Sequence, residues 1–390
     1  MDLPSKSFLN SMAAGFVIVA MFGSFFGPLA LLIMEYYSIS PFEYSILTTL
    51  IFLSGLGATL FVLFFGDRVN KILLLCVTIG VLTIALFLFA SALPFWGLLF
   101  VGLIAGFMVI MSDVTTNAII LEAFTGQKTT LIPRMYSMYD SGMVVGPLYV
   151  ALLVTPAVAA TFVRPYLILG FAGVAVFIFM CVSAKKIMPQ TPYAHLNKKA
   201  ITHGLTVFKT KKAWLIIISG VSMYFVYSGV IVWMPTLANR EFGATFEISG
   251  ITVTLFFLTG IVIRFFAPLI YKRISPLRWI FLFGFALALS IGLIMICTSV
   301  SGLFVLVAIS GACSGMAITS LTLFTSDIFP AHPSAVAVIT LLEFNIGSAI
   351  SPMLMSMVAE RVSFSAAFLV VSLVCAIGIV ILGIGLKHGK

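Results

Sequence analysis

The chain has 390 residues, of which 62% are apolar and only 8% are charged, and its mean hydropathy is +1.22. This composition excludes a soluble domain and a secreted enzyme, because a water-exposed surface needs many more polar side chains. Lys and Arg outnumber Asp and Glu by 21 to 12, which gives a formal net charge of +9.

Apolar stretches of about 20 residues, each long enough to cross a bilayer, follow one another along the chain and are separated by short polar breaks. The twelve stretches lie at 8–34, 44–65, 72–92, 95–123, 135–155, 165–183, 213–237, 247–270, 279–298, 303–325, 334–359 and 364–386. We therefore predict an all-α integral membrane fold with 12 transmembrane helices in two pseudo-symmetric six-helix bundles.

The basic residues are distributed unevenly between the breaks. An even number of spans places both termini on one side of the membrane. If that side is the cytoplasm, only Arg164, Arg240 and Arg361 lie outside, while Arg264 lies within a span. This is the positive-inside pattern, and it predicts that both termini are cytoplasmic. The basic excess then faces the anionic lipids of the cytoplasmic leaflet, and no nucleic-acid partner is needed to explain it.

The longest break between spans divides the chain almost evenly. It predicts an N-terminal six-helix bundle at 1–183, a cytoplasmic linker at 184–212 and a C-terminal six-helix bundle at 213–390. The linker mixes apolar residues with Lys, which is compatible with a short helix on the membrane surface and equally with a solvated tether. Short loops and the absence of an Asn-x-Ser/Thr sequence favour a bacterial inner membrane.

The two halves repeat at a constant offset of 205 residues. This offset places Gly106 on Gly311, and the segment 140–142 (Asp-Ser-Gly) on 345–347 (Asn-Ile-Gly). A duplicated helical membrane protein of this kind is expected to bind its substrate between the halves, near the middle of the membrane.

Several short segments carry a family resemblance. The loop 65–71, Phe-Gly-Asp-Arg-Val-Asn-Lys, resembles the loop signature of the major facilitator superfamily, which pairs an acidic residue with basic ones after the second helix. The segment 142–147, with Gly142, Gly146 and Pro147, resembles the Gly/Pro motif of the fifth helix in that superfamily. The resemblance implies the major facilitator fold and secondary transport by alternating access.

A finer resemblance rests on fewer residues. Asp113 followed four residues later by Asn117 is similar to the fucose/sugar–proton symporter group of the superfamily. The segment 139–142 (Tyr-Asp-Ser-Gly), together with 233–235 (Trp-Met-Pro), resembles the TsgA-type branch of that group. This resemblance implies a small polar substrate, such as a sugar, and protons as the coupling ion.

Two carboxylic acids lie deep in predicted spans and are candidates for proton coupling. Asp113 is ten residues from the cytoplasmic end of its span, or roughly 15 Å, and a charge at that depth costs on the order of 3 kcal/mol. It should therefore face a cavity or a partner, and Asn117 shares its helix face. Glu343 lies about nine residues into the eleventh span, beside Asn345. For each acid the alternative is a neutral, purely structural carboxyl group.

Asp140 and Arg264 are candidate gate residues, because each lies about six residues from the cytoplasmic end of its span. The resemblance implies that the fifth and eighth spans pack together, so an ion pair between them would close the cytoplasmic side. Alternatively, Arg264 extends to the lipid headgroups and Asp140 pairs with Arg134. Three residues near the loop after the second span are expected to form a conformational latch: Asp67, Arg68 and Lys71.

Tyrosines are candidates for substrate contact, since an aromatic ring with a hydroxyl group can both stack on a solute and form hydrogen bonds. Tyr224 and Tyr227 share one face of the seventh span, and Tyr136 and Tyr139 share one face of the fifth. Substrate-binding candidates are thus Asn117, Asn345, Tyr224, Tyr227 and Tyr139. The alternative for any membrane tyrosine is a place in the interfacial aromatic belt.

The preferred function is a secondary active transporter that moves a small polar solute by alternating access, coupled to protons. The alternatives are a proton-driven exporter of amphipathic compounds and a non-transporting membrane receptor or scaffold of the same fold. No nucleophile–base pair, metal-ligand spacing or phosphate-binding loop is visible, so we predict neither an enzyme nor a metal or cofactor. We expect a monomer whose partners are the solute, protons and membrane lipids.

Overall fold

The structure, a computed structural model, describes residues 3–65, 69–124, 128–185, 206–271 and 275–387. All regular secondary structure within these ranges is helical, and the α-helices number thirteen. They are α1 Leu3–Ser24, α2 Phe26–Tyr37, α3 Pro41–Phe65, α4 Lys71–Ala90, α5 Phe95–Ala123, α6 Lys128–Leu153, α7 Val163–Lys185, α8 Lys211–Arg240, α9 Phe246–Tyr271, α10 Pro276–Gly292, α11 Val300–Ile328, α12 Pro333–Arg361 and α13 Phe364–Lys387.

The helices match the predicted spans closely, and the all-α membrane fold is confirmed. Eleven of the described helical stretches are long and apolar enough to cross a membrane. The predicted fifth span, 135–155, lies on α6, which is not among those eleven and carries Lys128, Arg134 and Asp140. Large apolar side chains such as Trp96 and Phe265 are exposed, as expected for helices that face acyl chains.

The first predicted span, 8–34, is divided into two helices. α1 ends at Ser24, α2 begins at Phe26, and α2 continues to Tyr37. Pro28 has no N–H to donate to the carbonyl of Ser24, and a proline is tolerated in the first turn of a helix but not in its interior. The carbonyl of Ser24 therefore lacks this helical donor. The hydroxyl group of Ser24 donates to its own helix, from Oγ to Met21 O at 2.8 Å. The proline thus explains why the helix is interrupted at this point.

Polar residues mark where several helices begin. Asn70 Oδ1 accepts from Ile72 N at 3.0 Å and from Leu73 N at 3.1 Å at the start of α4. Ser299 Oγ accepts from Gly302 N at 3.1 Å at the start of α11. Each cap supplies an acceptor for N–H groups that the first turn leaves without a helical partner.

The chain forms two compact units, Met1–Ile39 with Ile46–Leu196 and Ser40–Ser45 with Asn197–Lys390. In the first unit α1 packs on α6 and α7, and α4 packs on α5 and α7. In the second unit α8 packs on α12 and α13, and α11 packs on α9 and α10. The predicted linker falls largely on 186–205, outside the described residues, so the domain boundaries stay a prediction.

The internal repeat is visible in the contacts of single glycines. In α5, the Cα of Gly106 lies so close to the backbone carbonyl of Ile51 in α3 that no Cβ could fit. In α11, the Cα of Gly311 lies equally close to the carbonyl of Phe256 in α9. The offsets, 311 − 106 and 256 − 51, are both 205. The same helix-to-helix contact is therefore built once in each unit.

A second pair of contacts repeats in the same way. Gly142 of α6 lies against the carbonyl of Val17 in α1, and Gly347 of α12 lies against the carbonyl of Val221 in α8. The offsets here are 347 − 142 = 205 and 221 − 17 = 204. Close approach of two helix backbones at a small residue is a common way for membrane helices to associate.

Candidate functional site

A polar cluster joins α5 to α6 inside the first unit. We call Asp113, Asn117 and Tyr136 the carboxylate cluster. Asn117 Nδ2 donates to Asp113 Oδ1 at 3.0 Å and to Tyr136 Oη at 2.9 Å. Tyr136 Oη in turn donates to Asp113 Oδ1 at 3.1 Å. The carboxylate oxygen therefore accepts two hydrogen bonds, one from its own helix and one from the neighbouring helix.

The carboxylate cluster lies far from the ends of α5 and is partly exposed. Asp113 is ten residues from the last residue of α5, Ala123, or about 15 Å along the axis. Asp113 and Asn117 are half-buried, and Tyr136 is 41% exposed. A carboxylate, an amide and a phenol that are accessible at mid-depth can bind the hydroxyl or amine groups of a solute.

The sequence predicts that Tyr139 contacts the substrate, and it predicts no specific role for Tyr136, one helical turn away. Both rings pack edge-to-face on Phe16 of α1, with ring centroids 6.4 Å and 6.1 Å away. The hydroxyl of Tyr136, however, is the one that reaches Asp113. The i, i+3 spacing places both tyrosines on one side of α6 and does not say which faces α5.

Glu343 and Asn345 lie in the second unit on α12 and do not form an equivalent pair. Glu343 is 2% exposed, and its carboxyl group lies directly against the Cα of Gly220 in α8. Asn345 is fully buried and its Nδ2 donates to Leu341 O at 2.8 Å. Residues two apart on a helix point in different directions, so the acid and the amide are separated.

The carboxylate cluster has no counterpart in the second unit. The offset of 205 places Ile318 opposite Asp113 and Thr322 opposite Asn117. The units thus share their helix packing but differ in their polar groups, since the proton-coupling candidate of the first unit, Asp113, lies on α5 and that of the second, Glu343, lies on α12.

A cluster of aromatic side chains joins α8, α9 and α12 in the second unit. We call Tyr224, Tyr227, Phe256, Phe257 and Phe344 the aromatic cluster. Tyr224 and Tyr227 meet at 5.6 Å between ring centroids, and each also contacts Phe344, at 5.3 Å and 6.1 Å. The rings of Tyr227 and Phe257 are 5.6 Å apart. These edge-to-face contacts surround Tyr224 and Tyr227, which the sequence predicts as substrate contacts, with apolar rings that restrict their movement.

The gate candidates are distributed over the chain. Asp140 is half-buried on α6 in the first unit, and Arg264 is half-buried on α9 in the second. The ion pair between them stays a prediction. Lys71 is the first residue of α4, whereas Asp67 and Arg68 lie outside the described residues. Arg134, the alternative partner predicted for Asp140, donates to Asn10 Oδ1 of α1 at 3.4 Å.

No group of three or more His, Cys, Asp or Glu side chains that could hold a metal ion occurs in the described ranges. The arrangement is that of a duplicated helical membrane protein with isolated polar groups at mid-depth, which is the class of secondary transporters. A sequence model of the Major Facilitator Superfamily matches residues 12–342. The chain therefore belongs to the major facilitator superfamily and is a membrane transporter rather than an enzyme.

Solved structures show the same fold. A bacterial homologue of the human lysosomal transporter Spinster, in an inward-facing and unoccupied conformation, has a TM-score of 0.84 at 12% identity, with 99% of this chain and 97% of that chain covered. The nucleoside transporter NupG has a TM-score of 0.77 at 13% identity, with 98% of this chain and 99% of that chain covered. No curated protein sequence matched the chain.

Proposed function

We propose that the protein is a proton-coupled transporter that moves a small polar solute, such as a sugar, by alternating access. The observation that carries the proposal is the carboxylate cluster, in which Asp113, Asn117 and Tyr136 are linked by hydrogen bonds of 2.9 to 3.1 Å at mid-depth. A carboxylic acid in the hydrocarbon region is costly, and such residues in membrane spans usually have a function.

The three side chains divide the task. Asp113 is the candidate proton acceptor, because it is the carboxylic acid of the cluster; Asn117 and Tyr136 donate to its Oδ1, and a proton can be taken up on Oδ2. Among the described residues Asn117 donates through Nδ2, which leaves its amide oxygen as an acceptor for a solute hydroxyl. Tyr136 is exposed enough to stack on a sugar ring while its hydroxyl stays on Asp113. Protonation of Asp113 and solute binding would then affect each other through shared hydrogen bonds.

The substrate class follows from the donors and acceptors. A neutral solute with several hydroxyl groups matches one carboxylate, one amide and one phenol. The spacing of Asp113 and Asn117 is similar to the fucose/sugar–proton symporter group, and a nucleoside, named for the neighbour NupG, also carries sugar hydroxyls. Sugars and nucleosides are therefore the first compounds to test.

The setting of the transporter follows from the charge distribution. We propose a monomer in a bacterial inner membrane with both termini in the cytoplasm, since that orientation leaves few Lys and Arg outside. The bundles 1–183 and 213–390, joined by the linker 184–212, would move relative to each other. Asp140, Arg264, Asp67, Arg68 and Lys71 are the proposed gate and latch residues.

The aromatic cluster supports a second candidate, a proton-driven exporter of amphipathic compounds. Tyr227 contacts three phenylalanine rings, of Phe256, Phe257 and Phe344. A surface made of aromatic rings suits a solute with a large apolar face. A receptor or scaffold that moves no solute, the last alternative from the sequence, has no structural observation in its favour and is the negative outcome of the transport test.

Transport by purified protein in proteoliposomes tests the three candidates. A thermal-shift screen first selects sugars, nucleosides and amphipathic compounds that stabilise the protein. A pH gradient, acid outside, is then imposed, and uptake of the selected compound is measured with and without a protonophore. Accumulation that the protonophore abolishes supports the proton-coupled carrier, and accumulation that persists contradicts the coupling. Extrusion of amphipathic compounds alone favours the exporter, and no movement in either direction favours the scaffold.

A further inference from the structure

Glu343 lies in a notch on α8 that a glycine creates. A methyl group added at Gly220 would come within 2.6 Å of Glu343 Oε2 and 2.5 Å of its Cγ, which is closer than real Cβ contacts come. The acid is 2% exposed, so it is enclosed by the packing of α12 on α8. The carboxyl group therefore occupies the space that any larger residue at position 220 would take.

One oxygen of the carboxyl group has no hydrogen-bond partner among the residues that the structure describes. Glu343 Oε1 is buried and accepts no hydrogen bond from any residue in the described ranges. An ionised carboxylate is stable in a protein interior only when it is paired and hydrogen-bonded. The geometry is therefore that of a neutral carboxylic acid.

In the described ranges, the helices that pack on α12 carry their charged residues at their ends, away from the notch. The helices packed on α12 are α8, α11 and α13, and the start of α3 contacts the far end of α12 through Ser45 and Ser356. The charged residues of α8, α11 and α13 lie at the helix ends: Lys211, Lys212, Arg240, Asp327 and Lys387. The charged or titratable residues of α12 and its cap other than Glu343 are His332, Glu360 and Arg361, and they also lie at its ends. The titratable residues that the packed helices carry between their ends are Tyr224, Tyr227, Cys313 and Cys375.

The notch lies far from the ends of both helices, as a site near the middle of the membrane requires. Gly220 is nine residues from the start of α8, and Glu343 is ten residues from the start of α12, or about 15 Å along each helix. The helices run parallel at this contact, because Gly220 meets Glu343 and, further along, Ser351 Oγ donates to Phe225 O at 2.7 Å. A small shift of α12 along α8 would move the acid out of the notch.

We infer that the notch formed by Gly220 and Glu343 is an occluded proton-binding site of the second unit, in which Glu343 carries the proton and Gly220 makes room for it. The inference rests on the proposed proton coupling and deepens it, because it separates two tasks. Asp113, which has two donors and is partly exposed, exchanges its proton in step with the binding and release of the solute. Glu343, enclosed and without a donor to Oε1, holds a proton that is exchanged only when α8 and α12 move apart. Gly220 is a positioning residue.

Infrared spectroscopy of the purified, lipid-reconstituted protein tests the protonation directly. The wild-type protein at neutral pH should show a carbonyl band of a protonated carboxylic acid that is absent in Glu343→Gln. Identical bands in the two proteins would overturn the inference. Gly220→Ala should shift or remove the same band by displacing the carboxyl group. Gly229→Ala is the matched control, because it lies on the same helix but a methyl group there meets Met355 Sδ.

Transport by the same variants tests the coupling role. In Glu343→Gln, accumulation driven by a pH gradient should fall at least tenfold. Exchange of solute across the membrane without a gradient should persist. Full gradient-driven accumulation by Glu343→Gln would overturn the role of Glu343 as proton carrier, even if Asp113 remains essential. If wild-type transport ignores the pH gradient, the proposed function fails, and the infrared comparison still decides whether Glu343 is protonated.

Discussion

Tyr136 Oη donates a hydrogen bond to Asp113 Oδ1 at 3.1 Å and thereby connects α6 to α5 at the one acid of α5 that lies at mid-depth. The bond brings together residues 23 positions apart in the sequence. Asp113 and Asn117 lie on a single helix, and the bond adds a residue of a second helix to the site that they form. The strongest experiments on this protein are those that break this site and leave the helix packing intact.

Asp113→Asn should abolish accumulation driven by a pH gradient, because the amide cannot take up or release a proton. The hydrogen bonds to Asn117 and Tyr136 can be kept by the amide oxygen, so solute binding and exchange should survive. Uptake into proteoliposomes with an imposed gradient measures the effect. Asp327→Asn, at an exposed acid near the end of α11, is the control, and unchanged gradient-driven uptake by Asp113→Asn would remove Asp113 from the mechanism.

Tyr136→Phe should raise the half-saturation concentration of the solute by up to about tenfold, because the phenol positions Asp113 for the solute and a positioning bond to a charged group, worth roughly 1.5 kcal/mol, sets the upper limit of the effect. The thermal stability should change little, because Tyr136 is 41% exposed. Tyr149→Phe is the matched control, as its hydroxyl donates to Pro165 O at 3.3 Å, away from Asp113. A normal half-saturation concentration for Tyr136→Phe would mean that the phenol is not part of the binding site.

Gly106→Ala and Gly311→Ala should each destabilise the protein by about 1–3 kcal/mol, the usual cost of forcing extra volume into packed helices. Both substitutions place a methyl group against a backbone carbonyl, of Ile51 and Phe256. Melting temperatures in detergent compare them with Gly57→Ala, where a methyl group would meet Phe107 at an ordinary 3.8 Å. Equal losses at the two repeat positions are expected, and a loss at only one would show that the two contacts differ in energy.

Single cysteines test the membrane topology. In a variant whose five native cysteines are replaced by serine, Lys199→Cys in the linker and Val300→Cys at the start of α11 should react with a membrane-impermeant thiol reagent from opposite sides. Labelling of Val300→Cys alone in intact cells is the expected result. Labelling of both residues from the same side would contradict the orientation of the two halves.

The gate prediction concerns the charges of Asp140 and Arg264. Removing one charge should bias the transporter toward the inward-facing state, because the remaining charge at that depth is costly without a partner. Accessibility of cysteines to a thiol reagent added from the cytoplasmic side measures the bias. The double variant Asp140→Arg with Arg264→Asp should restore part of the wild-type pattern, whereas an additive effect of the two changes would show that the residues do not interact.

Properties that depend on a single stretch of chain could be predicted from the sequence. Hydropathy and length determine whether a segment crosses a bilayer, and the predicted span 95–123 coincides with α5, Phe95–Ala123. The offset of 205 was visible in Gly106 and Gly311, because tight helix contacts require small residues at matched positions. The break after Ser24 could have been anticipated from Pro28, which cannot donate to the carbonyl four residues before it.

Contacts between helices were decided only by the tertiary structure. Helical periodicity places Asp113 and Asn117 on one face, but the rotation of α6 about its axis determines that Tyr136, rather than Tyr139, reaches them. Likewise, the sequence marks Glu343 as a buried acid, while only the packing of α12 on α8 shows that it fills the notch at Gly220. Apolar patterning specifies that a helix is in the membrane, whereas which side chains meet depends on how close-packed neighbours fit together, and that fit is a property of the assembled units.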